Sequence, residues 1–335
     1  MEFSCKLAPF VLVMNCTPER PLGASYYSSG GYLFPPSNPL SAQGCSNAEA
    51  TERSLASTPG SNSSPSSPPI VLSIAGYDPS AGAGVLADLK TFAAVGVYGM
   101  ACITALTVQS TQGVRRVVGV DTGIVIETLD CLAEDACFSS IKVGMLAYVT
   151  IAQAVADWLG QRQEIPVVLD PIIKSSSGKD LLESDGLDVL RDAWLPRADW
   201  ITPNLAELAI LTETAVPTTG PETEEAAHRL QQMAAQRGNA ELKIVVTGGH
   251  ADAPNDLLLM GNECLWYPGE RIHTTSTHGT GCAFSSALAA RIALGDEAMT
   301  AVKAAKEYVT GALRYSYPLG NGKGPLNHFW QSTFV

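Results

Sequence analysis

The chain has 335 residues, of which 46% are apolar and 16% charged. That is enough hydrophobic mass for a sizeable core and excludes a wholly disordered protein. Its 33 acidic side chains outnumber 21 basic ones, for a net charge of −12, which argues against a protein built to grip nucleic acid or an anionic membrane. No apolar run reaches the ~18 residues of a membrane helix. The eight cysteines show no C-x-x-C spacing, so they read as reduced thiols of a cytoplasmic protein.

Residues 1–68 differ from the rest. The short apolar run Leu7–Met14 is broken by Pro9 and lacks a small-residue cleavage site. Ser54–Pro69 is a Ser/Pro low-complexity stretch, and no helix or strand period before it lasts more than one turn. Such a segment cannot bury enough apolar surface to offset chain entropy, so a disordered tail is expected over 1–68. The tail holds three basic and four acidic side chains, so the acidity belongs to 69–335. Deleting residues 1–66 is expected to leave fold and activity intact. A melting temperature lower by more than a few degrees, or lost turnover, would show that the tail packs on the remainder.

From Ile70 the pattern alternates. Strand-like runs are Ile70–Ala75, Met100–Val108, Ile141–Met145, Val167–Leu169, Trp200–Ile201, Ile244–Thr247, Leu257–Met260 and Cys264–Tyr267. Helix-period stretches are Val85–Val95, Ile124–Ala136, Ile151–Trp158, Leu187–Trp194, Leu205–Leu211, Glu222–Gln236, Cys282–Ala293 and Ala298–Tyr315. The alternation predicts an α/β fold, a mostly parallel central sheet with helices on both faces.

Two glycine-rich turns stand before helices. Gly76 to Gly84 (GYDPSAGAG) follows the first strand, and Gly82-x-Gly84-x-x-Ala87 loosely fits a dinucleotide fingerprint. Six residues separate the strand from Gly82, where the fingerprint needs a tight turn, and no acidic residue closes the second strand at Leu106–Gln109. A loop whose backbone amides approach a small substrate is the alternative, and a connection without a ligand is the plainer one. His278-Gly-Thr-Gly-Cys282 opens a small-residue helix. Helix-start amides form a cradle for phosphate, and the positive end of the helix dipole favours a thiolate at Cys282. A helix start with a buried cysteine and a satisfied loop histidine reads equally from the pattern. Asp170-Pro171, Thr202-Pro203-Asn204 with Glu207, and Thr247-Gly248-Gly249 each follow a strand. Ligands of open parallel sheets lie beyond the carboxyl ends of strands, so these ends point to one nucleotide-phosphate crevice. No Walker A loop, nucleophile elbow or metal-spaced His/Cys cluster is present.

Several stretches together resemble one family. Val71–Lys90, Thr104–Val114, Lys142–Leu146, Val168–Pro171, Ile201–Glu207, His278–Cys282 and Gly324–His328 are similar, in this order, to hydroxymethylpyrimidine/phosphomethylpyrimidine kinases of the ribokinase-like family. The resemblance covers 70–330 and leaves the tail out. It implies a kinase using ATP and Mg²⁺, with a pyrimidine pocket lined by Gly76, Ala83, Asp88, Gln109, Met145, Ile172 and Cys282. It implies that Asn204 and Glu207 help place Mg²⁺ through water, with no direct protein ligand. Asp170 and Thr247 would lie on the nucleotide side, and Gly279, Thr280, Gly281 and Cys282 would form the anion hole. Cys282 would be either the base that takes the hydroxymethyl proton or a part of that hole. The implied activity is phosphorylation of 4-amino-5-hydroxymethyl-2-methylpyrimidine, then of its monophosphate, in thiamin biosynthesis. A homodimer is a further expectation. The alternatives are a pyridoxal kinase, whose substrate also carries a hydroxymethyl group on a nitrogen ring, and an inactive ligand-binding relative. The chain departs from the family's pattern at Tyr77 (often Ser), Ala81 (often Gly) and Ala283 (often Thr). Lys174 and Ser176 share the place of its basic or hydroxyl residue.

Overall fold

A computed structural model describes residues 67–173, 186–249 and 254–332. Of the tail expected to be disordered over 1–68, all but residues 67 and 68 lie outside the described residues, as does the Lys174/Ser176 question. The described elements follow the alternation read from the sequence. Strand β1 (Ile70–Tyr77) leads to helix α1 (Gly84–Val95), β2 (Tyr98–Ser110), β3 (Gly113–Gly119) and α2 (Thr122–Asp135). Then come β4 (Ser140–Val143), α3 (Val149–Gly160), β5 (Val167–Leu169), and α4 (Gly186–Val189), which runs into a π turn over Leu190–Trp194. The order ends with β6 (Trp200–Ile201), α5 (Leu205–Thr212), α6 (Gly220–Ala235), β7 (Lys243–Val246), β8 (Asp256–Met260), β9 (Glu263–Tyr267), α7 (Thr280–Ala293) and α8 (Ala298–Arg314).

The strands form one nine-stranded sheet in the order β3-β2-β1-β4-β5-β6-β7-β8-β9. From β2 to β7 all pairings are parallel, and β3, β8 and β9 add antiparallel edges. Alternation along the strands divides the core. Leu72, Ile74, Ile141, Val143, Val167 and Leu169 pack with α2, α3, α5 and α6 on one face. Val71, Val168, Val245 and Leu258 pack with α1, α7 and α8 on the other. Helix α7 is buried continuously from Cys282 to Ala290, which its run of Ala and Ser permits because small side chains let neighbouring backbones approach.

The sequence reading gave no strand over 113–119. Arg115 and Arg116 stand in the middle of the run and both are exposed, so this edge strand has no continuous apolar signal to read. It is held by ladder bonds to β2, with Leu106 opposite Val118 and Val108 opposite Arg116.

Ala81 has φ +56, a left-handed backbone that costs a residue with a Cβ about 1–2 kcal/mol. The position where the family often has glycine is therefore one where glycine relieves strain. Ala81→Gly is expected to raise stability by up to about 1 kcal/mol after the entropy cost of glycine in the unfolded chain. Thermal melts check this, and a lower melting temperature would contradict it.

Candidate active site

The site lies along the carboxyl edge of the parallel strands. Reading across the sheet, β2 delivers Gln109, β1 delivers Gly76, and the turn after β4 delivers Met145. β5 leads to Asp170 and Ile172, β6 to Asn204, and β7 to Thr247. The three polar strand ends of β5, β6 and β7 are neighbours, as expected from the sequence. Asn204 and Thr247 meet in a parallel bridge, and Thr247 N donates to Pro203 O at 2.9 Å.

On the first side, Met145, Ala105 and Ala147 form a small apolar cluster with Ile172, Val117 and Tyr148 against it. Gly76 packs closely here: a Cβ would stand 2.9 Å from the Met145 sulfur, so the methionine side chain would have to shift to admit one. Thr104 Oγ1 donates to Met145 O at 2.5 Å and holds this turn. Tyr77 is half-buried, and its carbonyl accepts from Thr107 Oγ1 at 2.9 Å.

Asp88 is placed differently from the pocket-lining residue that the resemblance implies. It lies on α1, fully buried, with its carboxylate taken by Ser73 Oγ (2.6 Å), Ser286 Oγ (2.8 Å) and Lys142 Nζ (2.9 and 3.0 Å). Lys142 is also fully buried. Burial alone would lower its pKa, but Asp88, Cys282 and Asp170 outweigh that and raise it. The ion pair forms a charged floor below the helix start. A lysine inside the apolar run Ile141–Val143 was its sequence signal, since a buried ammonium must be paired.

The turn into α7 depends on Gly279. Its φ is +84, and a Cβ there would collide with Gly82 O. Gly82 in turn lies flat against the His278 ring, where a Cβ would collide with Cδ2. Thr280 opens the helix and Gly281 is exposed. Cys282 is buried beneath them; it accepts from Gly84 N and its thiol hydrogen-bonds to Asp170.

The thiolate expected at a helix start is not favoured in this setting. Burial pushes the Cys282 thiol up to about 12; Lys142 opposes this, and the nearby carboxylates Asp170 and Asp88 add to the rise. A helix dipole is worth about 0.3–1 kcal/mol, up to ~2 in partly buried geometries. Burial among carboxylates exceeds it.

Asn204 and Glu207 form a capping box at the start of α5. Asn204 Oδ1 accepts from Ala206 N (2.9 Å) and Glu207 N (3.0 Å), and Glu207 Oε2 accepts from Asn204 N (2.9 Å). Glu207 also accepts from Ile173 N and so fastens the chain after Asp170. Burial first, then Asp170 beside it, raises Glu207 above the ordinary carboxylate range. Asp170 is likewise raised by burial, against the pull of Lys142 and of Ser285 Oγ, which donates at 3.1 Å. Two crowded, hard-oxygen carboxylates fit a site that takes a divalent cation such as Mg²⁺. With backbone amides already on Glu207, that contact would run through water.

Two residues outside the implied pocket complete the arrangement. Asp78 is 3% exposed and His278 8% exposed. His278 Nε2 lies 2.8 Å from Asp78 Oδ2 and 3.0 Å from Gln109 Nε2. No local pattern in the sequence connects Asp78 with a histidine 200 positions later.

Ala83, the last residue before α1, donates its N–H to Asp78 Oδ2 at 3.0 Å. Gly76, Ala83, Gln109, Met145 and Ile172 thus stand on the strands and turns of one side, while Asn204, Glu207 and Thr247 stand on the other. Asp170 stands with the second group, and Cys282 lies beside it. Among the described residues, no helix is long and apolar enough to cross a membrane.

The profile of the phosphomethylpyrimidine kinase family matches residues 78–327. A hydroxymethylpyrimidine/phosphomethylpyrimidine kinase of Rhizobium meliloti is 40% identical over 264 residues, 78% of this chain and 97% of that protein. The crystal structure of a phosphomethylpyrimidine kinase of Clostridium difficile superposes with a TM-score of 0.63 at 32% identity, covering 73% of this chain and 99% of the other. A Bacillus subtilis pyridoxal kinase, solved as an ADP complex, superposes with a TM-score of 0.69 at 32% identity, covering 78% and 98%. The strand order, the helix-start turn and these matches agree, and the chain belongs to the phosphomethylpyrimidine kinase family, with the ribokinase-like fold.

Proposed function

We propose that the protein moves the γ-phosphoryl group of ATP to the hydroxymethyl oxygen of 4-amino-5-hydroxymethyl-2-methylpyrimidine, and then a second one to the resulting monophosphate. As a family member it is a hydroxymethylpyrimidine/phosphomethylpyrimidine kinase of thiamin biosynthesis. The observation that carries the reading is the position of the α7 start. It lies between an apolar side suited to a heteroaromatic ring (Gly76, Ala83, Met145, Ile172) and a polar side suited to a nucleotide (Asp170, Asn204, Glu207, Thr247).

Phosphoryl transfer needs alignment and charge neutralisation more than covalent help. In this reading the amides of Gly279, Thr280, Gly281 and Cys282 stabilise the charge on the transferring group. Asn204 and Glu207 would help place Mg²⁺ through water, with Asp170 on the nucleotide side, and the ion would neutralise phosphate charge when bound. The alcohol oxygen forms the new bond to the γ-phosphorus, the bond to the β–γ bridging oxygen breaks, and the alcohol proton leaves the oxygen. Cys282 with Asp170 behind it is the group of this chain nearest in kind to receive that proton, or else it only shapes the hole. Cytoplasmic residence belongs to the same reading, as does pairing with a second copy.

Mass spectrometry of the products formed from the pyrimidine alcohol, ATP and Mg²⁺ tests this by counting the phosphates added. The diphosphate is expected, and a chain that turns over no pyrimidine would overturn the reading. The similarity to the Bacillus subtilis pyridoxal kinase supports a second reading, so pyridoxal belongs in the same assay. A kcat/KM for pyridoxal above that for the pyrimidine would favour it.

A further inference from the structure

We propose that Asp78 and His278 are positioning residues for Gln109. With Thr107 they turn its amide so that an N–H, rather than the carbonyl, is offered to the ligand, and the ligand edge met there is an unprotonated ring nitrogen. This rests on the reading that Gln109 lines the substrate pocket.

The argument follows the hydrogens. Asp78 Oδ1 accepts from Ser80 N at 2.8 Å and Ser80 Oγ at 2.7 Å, and Oδ2 accepts from Ala83 N at 3.0 Å. A buried carboxylate with that many donors is ionised and acts only as an acceptor. The hydrogen bond between Asp78 Oδ2 and His278 Nε2 at 2.8 Å therefore places the ring proton on Nε2, whether the ring is neutral or charged. A nitrogen that carries its proton has no lone pair left for an amide NH₂. That single hydrogen is shared between Asp78 Oδ2 and the facing Gln109 atom, so the amide oxygen is the better partner there, and a half-turn of the amide brings Oε1 to it without moving any other heavy atom.

The other end of the amide leads to the same orientation. Thr107 Oγ1 has one hydrogen, and it is donated to Tyr77 O at 2.9 Å. The amide atom placed 3.2 Å from that hydroxyl is Oε1; with the hydrogen on the shorter bond to Tyr77 O, the hydroxyl presents a lone pair there, and the amide nitrogen suits that side better. Two independent neighbours, one from the β1–α1 loop and the α7 turn and one from β2, select one amide orientation. One hydrogen of Nε2 goes to Thr107, and the second is available to the ligand. An N–H donor pairs with a ring nitrogen lone pair of an aminopyrimidine and repels an exocyclic amine. The pair thereby acts on substrate choice and not on the transferring phosphoryl group.

A thermodynamic cycle tests this by calorimetry of the full chain with the pyrimidine alcohol and, separately, with ADP. His278→Ala is expected to weaken pyrimidine binding about tenfold, as does Gln109→Leu, because each loses an oriented buried hydrogen bond. ADP affinity should stay within about twofold, and in the Gln109→Leu background the His278→Ala change should add less than about twofold. Fully additive losses would overturn the proposal. Gln109→Glu leaves the His278 turn undisturbed and provides the second arm. Its carboxylate keeps the acceptor for His278 but has no donor, so binding should fall at least as far as in Gln109→Leu. Binding equal to the wild type would show that the amide oxygen meets the ligand and would also overturn it. A wild-type chain that binds no pyrimidine overturns the functional reading together with this one. Pyrimidine binding with an additive cycle overturns this one alone.

Discussion

Cys282→Ala is expected to slow both phosphorylations by a similar factor, up to about 10²-fold, because it keeps the residue-282 amide in the hole but removes the thiol that braces that turn against Asp170. The thiol is pushed up to about 12 by burial, with Asp170 and Asp88 adding to the effect. At neutral pH such a thiol stays protonated, a poor starting point for a general base. The same phosphoryl charge develops in both steps, so a group that stabilises charge should be missed equally in each. Cys282→Ser keeps a hydrogen-bonding group in contact with Asp170 and is expected to stay within about tenfold of the wild type. A base role predicts a different pattern. The first step alone starts from an un-ionised alcohol, whereas the monophosphate is already ionised near neutral pH. Loss of a base would cost the first step the 10²–10⁴ typical of general base removal and spare the second. Single-turnover rates measured separately with the alcohol and the monophosphate decide between them. A first step hit far harder than the second, with Ser as poor as Ala, would restore the base role.

Lys142→Met should cause the largest loss of stability. It removes the partner of Asp88 from a position where both groups are fully buried. Breaking a buried pair on one side costs about 3–5 kcal/mol, because the remaining charge has neither water nor counter-charge. For a domain of this size that corresponds to a melting temperature lower by on the order of 10 °C. Ser73 and Ser286 would still donate to the carboxylate but cannot neutralise it. Adding Asp88→Asn to Lys142→Met removes the stranded charge and keeps a side chain that the two hydroxyls can reach. The double variant is therefore expected to melt above the single one. A double variant that melts no higher would show that the site needs the pair for packing rather than for charge balance.

The sequence by itself determined the fold class and most of its elements. Apolar runs such as Val167–Leu169 and helix periods such as Leu205–Leu211 are local signals of burial on two faces or on one, and the chain obeys them. It also placed the polar strand ends Asp170, Asn204 and Thr247 together, because parallel strands must all expose their carboxyl ends on one edge. Edge strand β3 was not legible, since a strand that packs one face at most and carries Arg115 and Arg116 has no apolar period. The same order of residues could not reveal what each polar group touches. The family resemblance implies Asp88 as a group offered to a ligand, yet α1 turns it down onto Lys142 of β4, 54 positions away. Cys282 at a helix start reads as an activated thiol or a buried one alike, and the burial and carboxylates that decide it come from β5 and α1. His278 reads as a loop residue, and only the folding of the β1–α1 turn against the α7 turn brings it between Asp78 and Gln109. Burial and hydrogen-bond partnership across the fold decide whether a titratable group is charged, paired or free to react, and they arise from segments that the sequence keeps far apart.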